Sequence, residues 1–167
     1  GMIHWAQALA VRLLKDRKKK SVTSWTNLPH PSRPDSPSPW IAQKRKCQDG
    51  QEVSVISSLP AGLAGAEERT GILMSKEFVT GNALSFWIMG HRGFPDQDPH
   101  LKSHVSLVNS EGQEVQRAYP PRDDIAQKVV WKTVAGKTMR LKITDGDAGG
   151  AFAWLGITRI SGVEGIS

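Results

Sequence analysis

Three short stretches hold most of the residue types that could do chemistry. The first is Thr144–Trp154, TDGDAGGAFAW, which sets two carboxylates two positions apart among glycines. Asp145 and Asp147 at that spacing in a turn could aim both carboxylates at one point. Three readings stay open: a tight turn, since Asp-Gly and Gly-Gly reach positive φ at little cost; a contact to glycan or partner; or a structural calcium loop. Calcium takes six to eight oxygens, so Asp145 and Asp147 would need help from Asp96 and Asp98 or from Asp123 and Asp124. The second stretch is Met89–His100, MGHRGFPDQDPH. His91, Arg92 and Asp96 are the planar polar groups that vicinal sugar hydroxyls require, with Phe94 and Trp154 as candidate aromatic faces. The alternative is a long loop folded over the end of a sheet. The third is Tyr119–Asp124, YPPRDD. Its double proline stiffens the entry to a strand, and Arg122 is expected to pair with Asp123, Asp124 or an acid of the His91 loop.

Covalent catalysis finds little footing. There is no Gly-x-Ser-x-Gly elbow. The single cysteine, Cys47, excludes an internal disulfide and a four-cysteine metal site. It follows Lys44, Arg45 and Lys46, which could favour a thiolate, but no base accompanies it. His91 and His100 alone are too few for zinc.

The elements that must position these residues read as β-strands. Alternating apolar residues mark Glu52–Ser58, Gly71–Phe78, Ala83–Met89, His104–Asn109, Glu114–Tyr119, Gln127–Thr133, Thr138–Thr144 and Ala151–Ile160. Turn residues separate them, as in Thr80-Gly81-Asn82, Ser110-Glu111-Gly112 and Ala135-Gly136-Lys137. Eight short strands with regular turns predict an all-β, antiparallel jelly-roll sandwich. Leu84, Phe86 and Ile88 share one face, so Trp87 is expected on the other.

Before this domain the sequence changes character. Residues 1–20 read as a helix with lysines at its C-terminal end. Residues 21–39 carry Pro29, Pro31, Pro34, Pro37 and Pro39 and read as an extended linker, or as a strap pinned by Trp25 and Trp40. The sandwich is expected over 40–162, with 163–167 a tail. Gly1-Met2 reads as the scar of a removed tag, so a larger parent protein is expected. The net charge of +6 is concentrated in residues 12–20 and 44–46. No nucleic-acid motif or aromatic ladder accompanies it, and no apolar run is long enough to span a membrane.

The blocks SPWIAQKRKCQDG, TGILMSKEF, LSFWIMGHRGFP, YPPRDDIAQKVVW and LKITDGDAGGAFAWLGITRI resemble a β-sandwich domain of large planctomycete-type proteins that also carry a cytochrome c domain. More distantly, their pattern is similar to the C-terminal jelly roll of fructan-cleaving glycosidases. Both resemblances imply the galactose-binding-like fold. They imply a non-catalytic binding or scaffolding module of an exported, periplasmic or envelope protein, holding carbohydrate or a neighbouring domain. The chain lacks Cys-x-x-Cys-His, so it attaches no c-type haem itself. A small glycan-acting enzyme and a purely structural inter-domain module are the competing expectations. The ligand-binding set expected on these grounds is His91, Arg92, Asp96, Arg122, Asp145, Asp147 and Trp154. Calcium on Asp145 and Asp147 is the one cofactor considered.

Overall fold

The computed structural model describes residues 25–60, 65–149 and 151–163. The helix expected over residues 1–20 lies outside the described residues. Strands are β1 (Trp25–Leu28), β2 (Ile41–Lys46), β3 (Glu52–Ser57), β4 (Gly71–Ser75), β5 (Phe78–Gly90), β6 (Ser103–Asn109), β7 (Glu114–Ala118), β8 (Asp123–Lys132), β9 (Thr138–Asp145) and β10 (Leu155–Val163). One layer is ordered β1-β4-β9-β6-β7 and the other β2-β3-β10-β5-β8, with every strand pair antiparallel. Strands β3 to β10 are distributed as in a jelly roll, β3-β10-β5-β8 facing β4-β9-β6-β7, with β6–β7 the one consecutive pair in a single layer. The all-β fold read from the sequence is therefore the fold found.

The layers are joined through β5. Phe78 and Val79 pair with Met139 and Thr138 of β9, whereas Ala83–Gly90 lies between β8 and β10. The switch occurs at Thr80, whose amide donates to Lys137 O and whose carbonyl accepts from Gly136 N. Period-two alternation then decides what is buried. Leu84, Phe86 and Ile88 of β5 meet Val105, Leu107, Leu141, Ile143, Leu155 and Ile157 between the layers. Each such side chain withdrawn from water contributes about 1.5–3 kcal/mol before entropy is subtracted. Phe86 and Trp131 pack edge to face, 4.9 Å apart.

The outer face of the second layer carries a second, smaller cluster of Cys47, Val55, Met89, Ala126 and Trp154, with Trp87 against it. The layer rolls toward that side until Cys47 bridges to Ala126 of β8, and Gln48 N donates to Ala126 O. Trp87 lies on this outer face, as its phase predicts.

Two strands were not expected. β1 falls inside the segment read as linker or strap, and β2 is IAQKRK, too polar to show alternation. The linker reading gives way to an ordered strap. Trp25 and Trp40 are buried, Asn27 donates to Ser38 Oγ, Thr70 N donates to Ser36 Oγ, and Arg69 donates to Ser38 O. Proline stops the strap from pairing along its length, but its serines hold it to the neighbouring chain.

Candidate functional site

The register brings the three chemically rich stretches together. Gly90, ending β5, pairs with Asp123 at the start of β8 and with Leu155 at the start of β10. Asp145, ending β9, pairs with Ser103 at the start of β6. The loops 91–102, 119–122 and 146–154 therefore leave one pole of the sandwich. Gly90 permits this crowding. Its φ is 120°, and a Cβ there would stand 2.2 Å from Trp154 O.

His91 is the hinge of the pole. Its amide donates to Trp154 O, and its Nε2 lies 2.8 Å from Asp124 Oδ1, so the ring N–H donates to that carboxylate. The ring is buried, whereas the Asp124 side chain is 67% exposed. His91 stands edge-on to Phe152 at 5.0 Å and tilted to Trp154 at 6.1 Å, while Phe94 packs on Phe152 at 5.2 Å. A chain of rings thus runs from exposed Phe94 through half-buried Phe152 to buried Trp154.

Around this aromatic chain the loops are tied to one another. Gly93 N donates to Phe152 O and His100 N to Arg92 O. His100 Nδ1 lies 2.7 Å from Asp147 Oδ2. The Arg92 guanidinium lies over Tyr119, 5.4 Å from its ring centre. Asp96 is exposed in the turn closed by Gln97 N and Phe94 O.

Four expectations are corrected here. Among the described residues Arg122 pairs with no acid; its guanidinium donates to Pro95 O and Gln97 O. Trp154 offers no open face, being 3% exposed with the Arg45 guanidinium 4.6 Å from its ring centre. The exposed ring at this pole is Phe94, packed on half-buried Phe152. Asp145 and Asp147 are each engaged by their own loop backbone. Each carboxylate accepts an amide two residues on, Asp145 Oδ1 from Asp147 N and Asp147 Oδ1 from Gly149 N, giving two successive Asx-turns. Cys47, considered as a reactive thiol, is 1% exposed beneath the rolled layer.

The buried environment of Asp145 decides its chemistry. Burial pushes its carboxyl well above the usual carboxylate range, against smaller opposing effects of the Ser58 hydroxyl, the Asp147 amide and the Ser103 hydroxyl. Among the described residues its Oδ2 has no hydrogen-bond partner, which a protonated carboxyl tolerates better than a charged one. With Asp147 engaged by both His100 and Gly149, this pair does not fit calcium. Among the described residues no group of three or more His, Cys, Asp or Glu side chains is placed to hold a metal.

Phe152 and the Arg45–Trp154 stack escaped the sequence reading. The two-residue spacing of Phe152 and Trp154 was a visible signal. The long-range approach of Arg45 was not.

No protein-family profile and no curated protein matches the chain. Solved structures do. The K2 cleaved adhesin domain of Lys-gingipain is 12% identical, with 84% of this chain and 90% of that one aligned at a TM-score of 0.52. The K3 cleaved adhesin domain of Lys-gingipain from Porphyromonas gingivalis W83 is 11% identical over 82% and 90%, at 0.46. The C-terminal CBM6 of a marine laminarinase from Zobellia galactanivorans is 12% identical over 81% and 99%, at 0.35. The likeness to the K2 domain shows a shared β-sandwich fold, and fold alone assigns no ligand.

Proposed function

We propose that this chain is a non-catalytic binding module whose ligand surface is the pole built from loops 91–102, 119–122 and 146–154 with the start of β8, and that its ligand is carbohydrate. The observation that carries this reading is Phe94, 44% exposed and packed on Phe152, whose ring in turn meets His91, the partner of the exposed Asp124 carboxylate. A sugar presents an apolar C–H face and flanking hydroxyls. An open ring with polar groups fixed around it complements both. The pole is also braced as a recognition site must be, by His91 to Asp124, His100 to Asp147 and Arg122 to the Pro95–Gln97 turn. Its carboxylates face separate partners rather than each other across a cleft, which disfavours the paired-acid chemistry of a glycosidase. The term adhesin applied to the K2 domain accords with a binding role by fold analogy alone. The block resemblance to planctomycete-type domains supports placing the chain in an exported protein. Among the described residues no helix is long and apolar enough to cross a membrane.

The test is affinity electrophoresis of the full chain through gels carrying laminarin, xylan, galactomannan or dextran. Retardation by at least one of these is expected. Phe94→Ala should weaken it about tenfold or more while leaving thermal unfolding unchanged, because the ring is largely outside the core. Free migration in all four gels, or equal retardation of Phe94→Ala, would sink the carbohydrate reading.

A further inference from the structure

We propose that the outer face of the second layer is a separate receptor for acidic polysaccharide, with Arg159 and Arg45 binding its carboxylate or sulfate groups. Between Thr158 and Ser161 the pairing of β10 with β5 slips by one residue. Arg159 sits in that bulge at φ 52°, a left-handed conformation that ordinarily calls for glycine. The extra residue lets Ile160 return to the main core and sends Arg159 outward. Its guanidinium lies 4.6 Å from the Trp87 ring centre and is fixed by Asp49 Oδ2 at 2.8 Å.

Arg45 is set in the same way. It lies over Trp154, and its Nε donates to Gln43 Oε1. The terminal N–H groups of Arg45 have no acceptor among the described residues and are not buried; the exposed Arg159 guanidinium donates to Asp49 and lies against the Cys47 thiol, which leaves part of its five-donor fork for a ligand. Lys128, exposed and in register with Trp87, adds a third cation to this face. A guanidinium held over an indole has lost much of its rotamer freedom beforehand and presents a planar fork that matches carboxylate or sulfate. Two such forks set apart on one sheet suit a polymer with repeated negative charges. Nucleic acid is the poorer fit, because base stacking needs open aromatic faces and these indoles are covered.

The experiment measures binding of the full chain to alginate, dextran sulfate, neutral dextran and duplex DNA over a range of salt concentrations. Salt-sensitive binding to alginate or dextran sulfate is expected, and the preferred of the two tells carboxylate from sulfate. Arg159→Gly should weaken it about tenfold with thermal stability kept or raised, since glycine suits the bulge. Arg45→Gln should weaken it similarly. Both variants keep the basic residues 12–20, so their loss reports the sheet face. Phe94→Ala should leave it unchanged, which separates this surface from the pole. Equal binding by Arg159→Gly and wild type, no binding to either polyanion, or a preference for DNA would overturn the proposal.

Discussion

Two side chains, buried Asp145 and half-buried His104, give the fold opposite responses to pH. Burial raises the Asp145 carboxyl above its ordinary 3.8, so the native state keeps a proton that the unfolded chain releases. The resulting stability is complete below 3.8 and is lost as pH rises toward the folded value. His104 behaves in reverse. Burial, with Arg117 nearby, lowers its ring from 6.5 to about 4, so stability is lost as pH falls through that interval. Asp145→Asn should remove the loss on the alkaline side and be at least as stable as wild type at neutral pH. His104→Gln should flatten the acid side. Urea midpoints at acidic and neutral pH measure both, and an Asp145→Asn variant much less stable at neutral pH would contradict the protonated assignment. The sequence displayed the polar residues of the pole but not their environments. Asp145 and Asp147 look alike on the page. Only the end of β9 reveals that one side chain turns inward to Ser103 while the other meets His100.

At the scale of elements, loop convergence depends on close approach of β5 and β10. A Cβ at residue 90 would collide with the Trp154 carbonyl and Leu155 Cα, both backbone atoms that cannot swing aside. Gly90→Ala should therefore cost about 3 kcal/mol in chemical denaturation; a neutral effect would show that the pole is looser than described. The strands of the jelly roll were legible because nearly all have one buried face, β7 being only half-buried on its inner side, and burial imprints the period of two on sequence. The edge strands β1 and β2 were not. Lys44, Arg45 and Lys46 leave β2 no apolar stripe, and its pairing with β3 rests on backbone hydrogen bonds that any sequence can make. The bulge in β10 was equally hidden, since Arg159 occupies a position where glycine would have announced it.

The whole molecule separates stability from recognition. The main core lies between the layers, remote from solvent, and its loss is expected to be expensive: Leu141→Ala should destabilise by about 2–5 kcal/mol. Val130, 60% exposed on β8, should tolerate alanine within about 0.5 kcal/mol. Thermal or urea unfolding of the two variants checks the division. Similar costs would mean that the layers do not enclose the core as described. The pole is a product of topology rather than of any one loop: stretches about 30 residues apart in the sequence meet because three strand ends are neighbours in register. The most direct test is a map of backbone amide shifts in the labelled chain during titration with the glycan that retards it most. Shifts concentrated at Phe94, Asp124 and Phe152 are the expected result. Shifts confined to the opposite turns at Ser110 and Ala135, or none with any glycan of the panel, would contradict the assignment of the pole as the binding surface.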